Sequence, residues 1–226
     1  MIQIMITAAS SFEAQSSKRN VGVHRLSREA VRYRATITTG ALKVSESRTI
    51  ADLLLRGVDP HVWHAEILDN NVLQARSPET ARRLSRLLRA RLDLMQPALW
   101  TMVRDGSALL ATHACLAAAV KHSPLLGDFL DLVVGEQYRL FRPTLSHALW
   151  EHFIEDCRSR DPAMSDWSES TVHRLRSTVF QILAQAGYIE NTRSLKLQTV
   201  HLAREVLAYL HEYDERYVLR CIQVRP

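Results

Sequence analysis

Glycine and proline are scarce. With 7 of each in 226 residues, the chain lacks the turn residues that a loop-rich all-β fold needs at its strand junctions. Cysteine is scarcer still. Cys115, Cys157 and Cys221 are odd in number, far apart and never in a C-x-x-C pair, so neither a disulfide framework nor a zinc ribbon is indicated, and a reducing cytoplasm fits best. No long hydrophobic run occurs. The longest apolar stretch, residues 108–120, contains His113 and falls far short of the ~20 residues that span a bilayer; it reads as a buried core helix, and no membrane is expected as a partner. The opening Met1-Ile-Gln-Ile-Met-Ile carries no cation, and the first basic residues come at Lys18 and Arg19, the wrong order for a secretory signal.

Recognisable catalytic patterns are missing as well. There is no Gly-rich phosphate loop, Walker motif or G-x-S-x-G elbow. His61-x-x-His64 lies near Asp59 and Glu66 but has no cysteine-rich or H-E-x-x-H company, so solvated or core histidines are the better reading. The paired acids Asp128/Asp131 and Glu155/Asp156 have no visible set of nucleophile, base and oxyanion donor beside them. The expectation is a protein without catalytic residues, metal or cofactor, and not an enzyme.

What is present is helical periodicity. Hydrophobic residues at 46% and charged residues at 23% are ordinary for a globular chain. Residues 1–20 are Ser/Ala-rich after a short apolar start and read as a disordered arm. Ser45 looks like an N-cap for a helix with Ile50, Leu53, Leu54 and Leu55 on its apolar face, closed by Gly57. Asp59-Pro60 and Ser77-Pro78 each place a capping side chain before a proline at the first helical position. Beyond Pro97, helices are expected at about residues 98–104, 107–122, 125–141 and 146–158. A further helix from Ser168 carries Leu175, Val179, Ile182 and Leu183 on one stripe and stops at Gly187. The period then changes: Tyr188-Ile189, a polar turn 190–194 and residues 195–200 read as a short β-hairpin, followed by a helix at about 203–213 and a last strand at 217–222. The expected fold is mainly α, a helical bundle with helix-turn-helix elements and a small C-terminal winged-helix-like β-hairpin. Its domains are an N-terminal helical one at 21–97 and a C-terminal one at 98–226, with the winged-helix-like segment at 146–222.

Charge is modest in total and polarised in distribution. The net value is +5 and the pI about 9.4. Residues 1–34 net +4, residues 76–91 net +5 with six arginines against Glu79, and residues 123–169 net −5. Such polarity suits one face for nucleic acid and another for a different partner. The helix after Pro78 is the strongest feature. Arg76, Arg82, Arg83, Arg86 and Arg89, with Ser77 and Thr80 at its N-terminus, can present guanidinium forks and backbone N–H groups to phosphates together. The second feature is the order helix, turn, hairpin over residues 168–200, the chain order of a winged helix-turn-helix. There Ser170, Thr171 and Arg174 lie on the polar face of the helix, and Arg193 and Lys196 stand where a wing touches the backbone. Arg174 is the favoured groove contact.

Several segments together resemble a known family. They are Gly40-Ala-Leu-x-x-Ser45-Glu-Ser-Arg48-x-x-Ala51-Asp52-Leu-Leu-Leu55, Asn71-Val-Leu-Gln74-x-Arg76-Ser77-Pro78-x-Thr80-Ala-Arg82-Arg83, Ser123-Pro124-Leu-Leu-Gly127-Asp128-Phe129, Trp167-Ser168-x-Ser170-Thr171 and Leu183-x-x-Ala186-Gly187-Tyr188. The set resembles the BrxA family of BREX bacteriophage-exclusion systems, from about Tyr33 to Cys221. The resemblance implies a helical body with helix-turn-helix elements, a core similar to that of the antitermination factor NusB, and double-stranded DNA as a ligand. It also implies work beside a BREX methyltransferase and ATPases. It brings no catalytic residues and no DNA contacts residue by residue. The function expected is a non-enzymatic DNA-binding accessory component; the alternatives are a protein scaffold using the acidic 123–169 region and a NusB-like RNA-binding regulator.

Overall fold

Side-chain caps set five of the eleven α-helix starts among the described residues. The Asp59 carboxylate accepts the His61 and Val62 N–H groups at 2.8 and 3.0 Å, Ser107 Oγ accepts Leu110 N–H at 3.2 Å, and Ser168 Oγ accepts Thr171 N–H at 3.4 Å. Each satisfies a donor that the first helical turn leaves free. Proline fills the first position of the helices beginning at Pro60, Pro78, Pro97 and Pro124, where its missing N–H costs nothing. Gly57 and Gly187 close two helices at φ 59° and 84°.

In the computed structural model, which describes residues 32–37 and 40–224, these signals give a mainly α-helical chain. The helices are α1 (Val44–Leu55), α2 (Pro60–His64, prolonged by a π-helical turn Ala65–Asp69), α3 (Pro78–Leu92), α4 (Pro97–Asp105) and α5 (Ala108–His122). Then come α6 (Pro124–Asp128), a π-helical stretch Phe129–Val134 and α7 (Gly135–Arg139), followed by α8 (His147–Arg160), α9 (Glu169–Gln185), α10 (Arg204–Glu212) and α11 (Arg216–Ile222). The expected arm at residues 1–20 and the segment 21–31 lie outside the described residues. No helix among the described residues is long and apolar enough to cross a membrane.

Helix α5 is the hub, as its unbroken apolar run suggests. It is buried all round from Ala114 to Val120 and packs against α1, α3, α4, α10 and α11. His113 fits this interior because its Nδ1 accepts the Ala203 N–H at 3.0 Å. The hydrophobic core is one cluster running from Tyr33 to Ile222. At one end Phe129 meets Trp150 and Phe153 edge-on, with ring centroids 5.2 Å apart in both pairs.

Four expectations about elements are corrected. The N-cap of α1 is Lys43, in the left-handed conformation and without a side-chain cap, not Ser45. The expected β-hairpin is not a strand pair: only isolated bridges, Ile189 to Leu197 and Thr144 to Lys196, occur there. The turn is held instead by Asn191 Oδ1, which accepts the Arg193 and Ser194 N–H groups at 2.9 Å each, and Leu195 takes φ 51°, which breaks extended pairing. The expected last strand is α11. Val218, Cys221 and Ile222 are its buried residues, a spacing of three and four that suits a helix and not an alternating strand. Finally, the helix expected at 125–141 is interrupted by the π stretch and ends at Arg139.

Candidate nucleic-acid interface

Helix α3 sorts its arginines by face. Ala81, Leu84, Leu88 and Leu92 are buried, and the same stripe carries Arg91, which is only 3% exposed. Arg91 Nη1 donates to the Ala41 carbonyl at 2.8 Å and Nη2 to that of Gly40 at 3.2 Å. Its Nε has no partner and no carboxylate pairs with it among the described residues. Burial pushes its pKa down to about 10. Arg91 was counted in the basic run, yet it is a structural clamp on the loop before α1 and no part of a surface.

The other arginines of α3 are exposed. Arg76, Arg82, Arg83 and Arg86 have no side-chain hydrogen bond or ion pair among the described residues. Arg82 and Arg86 line a cavity of about 300 Å³ with Trp63, His64, Ile67 and Leu68. Arg89, at the same cavity, is already committed: its guanidinium lies 4.5 Å over the Trp63 ring, and its Nε reaches Asp93 at 3.3 Å. At the N-terminus, Ser77 Oγ accepts the Thr80 N–H at 3.2 Å and lies 3.0 Å from the Thr80 hydroxyl. The cap therefore uses the Thr80 N–H that a phosphate would otherwise take.

Helix α9 offers a different surface. Ser170 and Thr171 both have their hydroxyls 3.0 Å from Ser168 Oγ, so the three form one local cap cluster. Arg174 is exposed, and its backbone carbonyl accepts the Thr178 hydroxyl at 3.0 Å. Arg176, by contrast, is neutralised by Glu151 at 2.6 Å. A cavity of about 380 Å³ joins His147, His173, Ser177 and Gln181 to Thr192 of the following turn. Arg193 and Lys196 are exposed on that turn. The structure thus gathers Ser170, Thr171 and Arg174 on α9 and holds Arg193 and Lys196 just beyond it. No hydrogen bond, ion pair or shared cavity joins this set to the α3 set among the described residues.

The acidic region is less of a surface than its composition suggests. Asp128 and Asp161 are 4% and 8% exposed. Asp128 accepts Arg32 Nε and Nη2, the Tyr33 hydroxyl and the Tyr217 hydroxyl, while Asp161 accepts the backbone N–H groups of Arg32 and Tyr33 at 2.8 and 3.0 Å. Asp131 pairs with Arg220 at 2.9 Å. Of the acids left exposed, Glu151, Glu155 and Asp156 are on α8, and Glu151 and Glu155 line a cavity with Trp167 and Glu169.

Sequence reading missed two features. Trp63 shares the α3 cavity, for which the only signal was its place one turn before Ile67. The corner Leu140–Arg142 is exposed and lies next to the turn that carries Lys196; its only signal in the sequence is the proline at 143, just past the helix expected to end at 141.

Fold and surface define a mainly α-helical protein that carries exposed, unpaired arginines along α3 and further exposed cations around the turn after α9. The BrxA family model matches residues 31–214. The BREX protein BrxA of Paramagnetospirillum magneticum strain AMB-1 is 52% identical over 193 residues, 85% of this chain and 97% of that protein. The BREX protein BrxA of Escherichia coli O9:H4 strain HS is 32% identical, over 81% of this chain and 86% of that protein. A crystal structure of an uncharacterized protein from Magnetospirillum magneticum superimposes with a TM-score of 0.81 at 50% identity, covering 85% of this chain and 99% of that one. The chain belongs to the BrxA family.

Proposed function

We propose that this protein is a non-enzymatic, duplex-DNA-binding component of a cytoplasmic BREX phage-exclusion system. The observation that carries the reading is the state of α3 and the residue before its cap: Arg76, Arg82, Arg83 and Arg86 are exposed and have no side-chain hydrogen bond or ion pair among the described residues. A guanidinium that makes no pair in the fold is free to displace counterions from phosphates. Arg174 on α9, with Arg193 and Lys196 on the turn after it, supplies a second basic element in the helix-turn-helix order, with the turn standing where a wing would be. Contacts of this kind give affinity with little sequence information. Membership of the BrxA family and the names of the BREX relatives support the setting, and the other BREX proteins, a methyltransferase and ATPases among them, are the protein partners expected there.

The test is a titration with duplex DNA over a salt series. Log K falls against log salt with a slope of several units, at about 0.9 per neutralised phosphate. Arg82→Glu/Arg86→Glu and, separately, Arg174→Glu assign the face by which of them loses affinity. A flat salt response, or no complex at low ionic strength, sinks the reading.

A second reading has one observation in its favour. The cavity around Trp167 is lined by Ile154, Val172, Glu155 and Glu169 together with Arg158 and Arg176; those two arginines are paired with Asp166 and Glu151, which leaves Glu155 and Glu169 to meet a basic side chain of a partner protein. Co-purification with another BREX protein that survives nuclease and is lost with Glu155→Lys would favour a scaffold over a DNA-binding subunit.

A further inference from the structure

Phe141 breaks two rules at once. It is 82% exposed, and its φ is 52°, a backbone region that bulky side chains rarely enter. The cause is local. Phe141 donates its N–H to the Tyr138 carbonyl at 3.0 Å and Arg142 donates to the Gln137 carbonyl at 2.9 Å, the pair of bonds that ends a helix in a left-handed residue, a place ordinarily filled by glycine. Here it carries a phenyl ring in solvent. Leu140 beside it is 54% exposed, so the corner is an apolar tip.

The surroundings of that tip are cationic. Arg139 and Arg142 flank it in sequence, both exposed and without a partner among the described residues. Pro143 accepts the Leu197 N–H at 2.9 Å, and Leu145 donates to the Leu195 carbonyl at 2.9 Å. These bonds fasten the corner to the turn that bears Arg193 and Lys196. The acids near it are Glu136, one turn before Leu140, Asp156, which lines a cavity with Arg139 and is paired with Arg160 at 3.7 Å, and Glu190, which accepts the Ser194 hydroxyl at 3.0 Å. An exposed aromatic ring on a rigid corner, set among four cations, suits a polyanion with an apolar interior.

We infer that Phe141 is a wedge that enters a base step of duplex DNA from the minor groove, with Arg139 and Arg142 on the flanking phosphates. The inference rests on the DNA-binding reading and adds to it a deformation of the DNA. Apolar side chains used in this way partly unstack the step and kink the duplex. The strained backbone is consistent with selection for the ring itself, since glycine would serve the turn better.

The experiment uses the full chain and duplexes in which 2-aminopurine is placed at successive positions. Its fluorescence rises when its step unstacks. The wild type raises it at one or two adjacent positions. Phe141→Gly, whose backbone suits the site and so folds, abolishes the rise, weakens binding by about tenfold and leaves the salt slope unchanged. Arg139→Glu/Arg142→Glu lowers that slope by about 2. If the wild type binds duplex but Phe141→Gly gives the same rise, or neither gives one, the wedge is wrong and DNA binding stands. If the wild type binds no duplex, both fall. Self-association in sedimentation that disappears with Phe141→Gly would assign the tip to a second copy and overturn the wedge.

Discussion

Tyr217 Oη donates to Asp128 Oδ1 at 2.8 Å, which ties α11 near the end of the chain to α6 in its middle. The same carboxylate receives the Tyr33 hydroxyl at 2.7 Å and both Nε and Nη2 of Arg32, so one buried acid joins three stretches of chain that lie about ninety residues apart. Gly127 completes the joint, because a Cβ there would collide with Tyr217 Oη.

Asp128→Asn is therefore expected to destabilise the fold by about 3 kcal/mol. An amide offers one accepting oxygen where the carboxylate offers two, and its NH₂ would face hydroxyl and guanidinium donors. Urea denaturation should show a lower midpoint with an unchanged slope. A midpoint equal to wild type would mean that the four donors find other acceptors and that Asp128 is not the joint.

Arg91 and Arg82 are nine residues apart on one helix and should answer mutation in opposite ways. Arg91→Ala removes the donors of the Gly40 and Ala41 carbonyls and leaves a buried gap, at a cost of roughly 2–4 kcal/mol. The surviving folded protein should keep the wild-type salt slope for DNA. Arg82→Ala should leave the melting temperature almost unchanged and reduce that slope by about 1. Measuring both variants by thermal melting and by DNA titration separates a clamp from a contact.

These residues also show how far the sequence carries. Helix starts at Asp59, Ser77, Ser107 and Ser168 are decided within three residues, so composition and spacing reveal them. So is the stop at Gly187. The burial of Arg91 is decided by packing against a loop fifty residues earlier, and Asp128 by partners 95 and 89 residues away, which no local pattern encodes. The turn after α9 reads as a hairpin because its alternation is real; what prevents strands is the left-handed Leu195 and the Asn191 side chain. Of the candidate interface, the presence of the arginines was legible and their pairing was not. Arg89 and Arg176 are engaged by Trp63 and Glu151, which only the fold brings near.

Phe141→Gly should stabilise the protein, by about 1 kcal/mol, even though it deletes an aromatic residue. A non-glycine residue in the left-handed region costs roughly 1–2 kcal/mol, and a ring 82% exposed returns little burial energy. The greater freedom of glycine in the unfolded chain offsets part of the gain. Differential scanning calorimetry should place the variant a few degrees above wild type. A lower melting temperature would show that the ring is packed in solution and that the corner is not strained.

Acid should weaken the fold through two histidines. Burial holds His113 below the ordinary histidine range, opposed by a backbone hydrogen bond at Ala186, and burial with the nearby Arg91 charge does the same for His122. In the unfolded chain both return to about 6.5. Below that value the unfolded state binds protons that the folded state does not, so stability is full above about pH 6.5 and is lost as pH falls towards the lower folded values. The melting temperature should therefore drop between pH 7.5 and pH 5.5. His113→Gln keeps an acceptor for the Ala203 N–H but cannot titrate, so its melting temperature should fall less steeply over the same interval. An equal fall in both proteins would assign the acid sensitivity to groups other than His113.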